Sequence, residues 1–489
     1  MIYNEFMKEI PLSVPNLNIE IADSLRECIE TGWVSTGGAF ITAFEDKIAS
    51  YVGVDEAVGC QSGTAGLHTA LRMLGVGAGD IVICPTLTFI AAVNPVRYLD
   101  AAPVFIGCGA DLCMDPAALE RYLREDCHAE KGLRADTGNI NAMSASPGDA
   151  EPVREEAKAY SRVADSADSN QVIDSADSNQ VIDNADSSQI IDNATGRPVK
   201  AIVVVHVFGV IADMARIMDV AAAYGLPVLE DATEAMGSFV RSGRYDGRHA
   251  GTIGDIGVFS FNANKIITTG GGGMIVASGG SGADAPARAR NDLEEARYLT
   301  TTAKDDGIYF AHGAVGYNYR MLNLQAALGV SQIDELEHFV EIKQRNYALY
   351  RELLAEAPGL TVLPPPDGQR WNHWFYSLYI EDDARRDVAG CRIKSGMTEG
   401  LREESACARC DTAEGARRDR VMRALIEDGI QCRPVWKLVH TQTPYKEFRA
   451  LDTAQACNYE KHILNPPCST SLGEDDVRYV CSKILEYVR

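Results

Sequence analysis

From Asp55 to Val276 the chain alternates short, continuous apolar runs with stretches of helical periodicity. The runs at 57–60, 81–84, 103–106, 201–206, 227–230, 257–261 and 273–277 read as strands, with helices between several of them at 66–74, 116–123 and 214–224. A strand apolar at nearly every position is buried on both faces, and helices between successive strands supply the cover. The pattern therefore predicts an α/β fold, with a mostly parallel central sheet and helices on both its faces. Sheets of this kind bind ligands at the carboxyl ends of their strands. After about Leu324 the character changes: a long helix is expected over 325–350, a strand over 374–380, and helices over 421–428 and 475–487. The expected division is a large domain over 1–330 and a smaller C-terminal α+β domain over 331–489.

Two segments interrupt the pattern. One runs from about 127 to 197 and contains a ninefold period, SADSNQVID, SADSNQVID and NADSSQIID, at 166–174, 175–183 and 184–192. The repeats carry six aspartates and no basic residue. They read first as a solvated insertion, with a short β-solenoid or a calcium site as the sharper alternatives. The other, 383–418, is polar and charged and reads as a loop insertion in the C-terminal region. It contains Cys407-Ala-Arg-Cys410, a lone CxxC without the second pair that a zinc site needs.

Composition narrows the function. A net charge of −23 argues against nucleic acid or an anionic membrane as the main partner. No apolar stretch approaches the ~20 residues that span a bilayer, and the N-terminal residues carry Glu5, Glu9 and Pro11 where a secretory leader would be apolar. The thirteen cysteines have no framework spacing, as expected of reduced thiols in the cytoplasm. No metal site is expected.

The motifs that carry chemistry sit just after the strands. Ser260-Phe-Asn-Ala-Asn-Lys265 leads into four glycines, 270–273. A lysine held there can act as a nucleophilic amine once its position is fixed and its pKa lowered, although alone it reads equally well as a surface residue beside a turn. Leu229-Glu-Asp-Ala-Thr-Glu234 puts an acidic residue at a strand end, where Asp231 could face a ring nitrogen or simply cap a helix. Gln61-Ser-Gly-Thr-Ala-Gly66 joins a strand to a helix whose first amides could bind phosphate.

Together these three motifs resemble the fold-type I pyridoxal-phosphate enzymes, and more narrowly the sugar aminotransferases of the DegT/DnrJ/StrS class. Gly32-Trp-Val-Ser-Thr-Gly-Gly38 with Phe44-Glu45, Pro85-Thr-Leu-Thr-Phe89, His206-Val-Phe-Gly209, Gly316-Tyr-Asn-Tyr-Arg-Met321 and Arg433-Pro-Val-Trp-Lys437 with His440 match that class in the same order. The resemblance implies pyridoxal 5'-phosphate held as a Schiff base on Lys265, which also shuttles protons, and Asp231 on the pyridinium nitrogen. It implies Phe89 stacked on the ring and Glu234, where Gln or His is frequent, near the ring hydroxyl. Gly63, Thr64, Ala65 and Ser260 would cradle the phosphate, with Asn318 reaching in from the partner of a homodimer. Trp33, Ser35, His206, Arg433, Trp436 and His440 would contact substrate.

The activity so implied is transfer of an amino group from L-glutamate to a nucleotide-linked 4-keto-6-deoxy sugar. The branch most resembled makes 4-amino-4,6-dideoxy-N-acetylhexosamines, carried on UDP or GDP, for surface glycans such as those with bacillosamine or legionaminic acid. Two alternatives stay open. One is a sugar dehydratase of the same fold, whose known deoxygenating branch has histidine in place of the lysine. The other is a non-catalytic regulatory protein that keeps the fold.

Overall fold

A computed structural model describes residues 9–17, 19, 21–131, 188–278, 285–382 and 416–488. The chain divides into two compact units, one of Met1–His128 with Ile190–Arg489 and the other of Ala129–Gln189. Only 129–131 and 188–189 of the second unit are among the described residues. The first two nonapeptides and the Cys407–Cys410 pair lie outside them.

The first unit is built on an eight-stranded sheet. Its spatial order is Val58–Cys60, Gly273–Ala277, Ile256–Ser260, Val228–Asp231, Val199–Val205, Ile81–Pro85, Ala102–Ile106 and Ala450–Leu451. Seven strands share one direction; Gly273–Ala277 runs against both its neighbours. Every position of Ile81–Pro85, Ala102–Ile106, Val228–Asp231 and Ile256–Ser260 is buried, because helices such as Gly63–Met73 and Met214–Tyr224 connect the strands and cover the sheet. This is the mostly parallel α/β architecture expected, and the apolar runs fall on its strands to within a residue or two.

The C-terminal half forms a four-stranded antiparallel sheet, in the order Leu360–Val362, Leu378–Ile380, Ile463–Asn465 and Arg433–Pro434. The same half also returns to the edge of the large sheet. Ala450–Leu451 pairs there with Phe105 and Ile106, and Asp452 O then comes so close to Gly107 that a Cβ would lie 1.8 Å from it.

Three expectations change. The single helix read over 325–350 is two helices, Asn323–Asp334 and Leu336–Leu354, meeting at Glu335. Each follows a different partner. The first packs on Ala39–Val52, with Gly329 against the Phe44 ring, and the second packs on Glu474–Tyr487. The strand read over 374–380 is only Leu378–Ile380. His373 just before it adopts φ 55°, and Asn372 is tied to the carbonyls of Glu234 and Met236 and to Ser238 Oγ, which pulls Trp374 and Phe375 out of the ladder. Both expected insertions carry regular structure at their ends. Cys127–Lys131 and Ser188–Asp192 are strands, and a helix begins at Ala416. The end of the third nonapeptide is therefore not a solvated surface. Ile190, Ile191 and Asp192 are buried, and Asp192 accepts from the Tyr122 hydroxyl at 2.9 Å and from the Thr195 amide and hydroxyl at 2.8 Å.

Candidate active site

The carboxyl ends of the parallel strands open into a cavity of about 320 Å³. Its polar side is assembled from consecutive strand ends: Ser62, Gly63 and Thr64 after Val58–Cys60, Asp231, Thr233 and Glu234 after Leu229, and Ser260, Asn262 and Lys265 after Ile256–Ser260. Each motif read from the sequence thus meets the others because these strands, which share one direction, end at one edge of the sheet.

Ser62 caps the helix Gly63–Met73, its hydroxyl accepting from the Ala65 amide at 3.1 Å. The amides of Gly63 and Thr64, in the first turn, have no carbonyl four residues back to bond, which leaves them and the positive end of the helix for an anion. Ala65 spends its amide on the cap and does not line the cavity. Gly63 is constrained by its surroundings: a Cβ there would lie 2.9 Å from Thr233 Cγ2 and 3.0 Å from Ser260 Cβ. The cradle closes only around a residue without a side chain.

Asp231 is buried, with Oδ1 accepting from the Thr233 amide at 3.0 Å. Burial pushes its carboxyl up; the Thr233 bonds and the Lys265 charge pull it back. Glu234 is also buried. Its Oε2 accepts from the Phe208 amide at 2.8 Å, and its Oε1 lies 3.6 Å from Lys265 Nζ. Burial pushes the Glu234 carboxyl up to about 7, against the opposing pull of Lys265. Burial pulls the Lys265 ammonium down, against the carboxylates of Glu234 and Asp231. The lysine is held from the other side by Trp374, whose ring centroid is 4.2 Å from Nζ and whose indole Nε1 donates to Asn264 O at 2.8 Å.

The cavity also has an aromatic wall. Phe89, Trp436, Trp374 and Phe375 line it. Phe208 lies behind, with its ring 4.6 Å from Trp436 and 5.7 Å from Phe375. Trp374 and Phe375 stack at 4.2 Å. Sequence reasoning found Phe89 and Trp436 but missed Trp374, Phe375, Thr88, Thr233 and Asn262. The run Trp371-Asn-His-Trp-Phe375, dense in aromatics beside two polar residues, is the signal that could have marked the wall.

Several other expected contacts are not brought to the cavity. His206 is fully buried behind it: Nδ1 accepts from the Ala212 amide at 3.3 Å, so Nε2 carries the hydrogen donated to Glu230 at 2.8 Å. Burial would raise the Glu230 carboxyl, but His206 and the amides of Gly254 and Gly251 hold it below the ordinary range. This network makes His206 a fixing point for the loop that carries Phe208, and its ring does not line the cavity. His440 is buried with Nδ1 against Thr86 Oγ1. Trp33 and Ser35 are exposed, and the backbone carbonyl of Trp33 accepts from Asn323 Nδ2. Arg433 and Asn318 are exposed and outside the cavity of their own chain.

A lysine amine, an acidic group at the sheet edge, an aromatic face and a phosphate-sized cradle at a helix start match the aldehyde, ring nitrogen, ring face and phosphate of pyridoxal 5'-phosphate. Fold and site thus define a fold-type I pyridoxal-phosphate-type transferase. The chain belongs to the DegT/DnrJ/EryC1/StrS aminotransferase family, whose model matches residues 15–129, 162–404 and 403–485. It is therefore an enzyme, an aminotransferase, and the family implies pyridoxal phosphate as cofactor. Among curated relatives it is 29% identical to the GDP-perosamine synthase of Caulobacter vibrioides over 98% of each chain. Among solved structures it resembles the aminotransferase TlmJ of Streptoalloteichus hindustanus, with TM-score 0.69, 22% identity and coverage of 98% and 99% of the two chains. It also resembles PseC of Helicobacter pylori, an aminotransferase involved in pseudoaminic acid biosynthesis, with TM-score 0.69, 18% identity and coverage of 98% and 99%.

Proposed function

We propose that the protein moves an amino group from L-glutamate to a nucleotide-linked 4-keto-6-deoxy sugar, a UDP- or GDP-linked N-acetylhexosamine used for surface glycans. The observation that carries the reading is that Lys265, Asp231 and an aromatic wall line one cavity. Pyridoxal phosphate, when bound, supplies an electron-withdrawing ring that stabilises charge at the carbon bearing the amino nitrogen. Lys265 supplies the amine that holds the cofactor and the base that moves the proton. Asp231 favours a protonated ring nitrogen, Phe89 packs on the ring face, and Gly63, Thr64 and Ser260 take the phosphate. Trp436 and the stacked Trp374 and Phe375 offer apolar surface to a deoxygenated sugar face. The relationship to a GDP-perosamine synthase supports a nucleotide-sugar substrate.

Asn318 is assigned to the site of a partner subunit. Ile308, Tyr309, Phe310 and Val315 in the same segment are 63–85% exposed, an apolar surface that a second copy would cover. No helix among the described residues is long and apolar enough to cross a membrane, in keeping with action in the cytoplasm.

The test is direct. The protein, pyridoxal phosphate, L-glutamate and a panel of nucleotide-linked 4-keto-6-deoxy sugars are incubated, and the products are read by mass spectrometry. An aminated sugar with matching 2-oxoglutarate is expected; no amination across the panel defeats the substrate class. A Lys265→Ala protein mixed with an Asn318→Ala protein tests the shared site. Co-expressed mixtures should regain activity, because one site of each mixed dimer then carries neither lesion.

A further inference from the structure

Of the two carboxylates that line the cavity, Asp231 and Glu234, it is Glu234 that lies in ion-pair contact with the lysine amine. Oε2 is held by the Phe208 amide, and the loop that presents this amide is itself fixed. Phe208 is buried at φ 55°, a left-handed conformation rare for a bulky residue, and its carbonyl accepts from Trp371 Nε1 at 2.8 Å. The backbone carbonyl of Glu234 is held in turn by Asn372 Nδ2 at 2.8 Å. So the carboxylate cannot swing away, and Oε1 remains directed at Nζ, 3.6 Å off. The Trp374 ring centroid lies 4.2 Å from the same amine.

We propose that Glu234 is the proton acceptor for Lys265, so that the pair carries one proton that passes between Nζ and Oε1 within the cavity. The step balances internally. One N–H bond of the ammonium breaks, its electron pair stays on nitrogen as the lone pair, and an O–H bond forms on Oε1. No charge enters or leaves the site. The separation is within ion-pair range and slightly longer than a direct hydrogen bond, a gap that such contacts commonly close when substrate binds. This deepens the reading above, because a lysine that bonds a carbonyl carbon must first shed a proton and must recover it when released. The displacement of proton affinities already described, Lys265 downward and Glu234 upward, brings the two groups toward a match. The titratable groups that act on Glu234 are Lys265 from the loop after Ile256–Ser260 and Asp231 from its own strand end. Cys113 senses its charge, and His206 is turned to Glu230 instead.

The sign of the effect follows. A negative Glu234 favours the charged form of Lys265. Removing that charge by Glu234→Gln leaves burial unopposed on that side, so Lys265 should lose its proton at lower pH. The measurement uses the full chain stripped of cofactor. Modification of Lys265 by trinitrobenzenesulfonate is followed by peptide mass spectrometry across pH, with exposed Lys446 as reference. The midpoint for Lys265 should fall by about one pH unit or more in the variant, roughly a tenfold gain in reactivity on the acid limb. Lys446 should not move. An unchanged or raised Lys265 midpoint in folded Glu234→Gln protein overturns the proposal. Should that variant fail to fold, Glu234→Asp keeps the charge but withdraws it, and a smaller shift in the same direction is required; no shift overturns it equally. In the loaded enzyme, turnover should fall as pH drops through about 7, where Glu234 takes a proton of its own and can accept none from Lys265. That limb should vanish in Glu234→Gln. Since the labelling needs no cofactor, its failure leaves the aminotransferase reading standing, and failure of amination leaves the proton pair standing.

Discussion

The two sides of the cavity are built by different rules. The polar side is made where parallel strands of one sheet end together, and its residues are fixed by backbone: a capped helix start, a glycine that tolerates no Cβ, and an aspartate bonded to its own turn. The aromatic side comes from loops and from the C-terminal half, and its residues are held by side chains: Asn372, Trp371 and the Phe208 loop. A site whose chemistry sits on sheet edges and whose contacts sit on loops can keep one reaction while its substrate changes. The difference makes a quantitative claim. Lesions on the polar side should reduce turnover, and lesions on the aromatic side should mainly raise KM.

The largest effect belongs to Lys265→Ala, which removes nucleophile and proton carrier together. Turnover should drop by roughly four orders of magnitude or more, and the yellow colour of the lysine-bound cofactor should disappear. Near-normal turnover without an added amine would remove Lys265 from the chemistry altogether.

Asp231→Asn comes next. A neutral amide no longer favours a protonated ring nitrogen, so the amino-transfer step should slow on the order of a hundredfold, about 2.7 kcal/mol in barrier. Rapid-mixing absorbance measurements separate that step from cofactor affinity. A loss in affinity with the step unchanged would place Asp231 in packing.

Trp436→Ala addresses the other side. The prediction is a rise in KM for the sugar of about tenfold with kcat changed by less than about threefold. A fall in kcat without a change in KM would erase the contrast between the two sides.

The same division explains what was legible in the sequence. The strands were readable because burial on both faces writes a continuous apolar run, and their ends announced Gly63, Asp231 and Lys265. Of the wall, Phe89 and Trp436 were reached through the resemblance, but Trp374 and Phe375 were not, because they sit in an apolar run that looks like strand. Only the turn at His373 and the anchoring of Asn372, both tertiary effects, take them out of it. Glu335 is similar: the helical period runs through it unbroken, and the break comes from two different packing partners. His206 had the right place in the chain for a site residue. Glu230, buried on the next strand in register with Val204, claims its ring instead.

The smallest expected effect belongs to the nonapeptide segment. Residues 166–187, two whole nonapeptides and part of the third, are polar and carry no basic group. Replacing them with a short Gly/Ser linker should leave turnover and melting temperature nearly unchanged, since loop length alone alters closure entropy by only about 0.6 kcal/mol per doubling. The boundary matters, however. Extending the replacement through Asn193 would remove Asp192, leaving the buried Tyr122 hydroxyl without its acceptor and Arg449 without one of its two carboxylates. It would also break the bond from the Asn193 amide to Asp126 O. An unsatisfied buried hydroxyl alone costs about 1–3 kcal/mol, so the longer replacement should unfold several degrees lower while the shorter one does not. Calorimetry on the two variants, with sugar amination measured alongside, decides it. If the shorter replacement already abolishes soluble protein or turnover, the repeats support the core, and the two sides of the cavity no longer account for function by themselves.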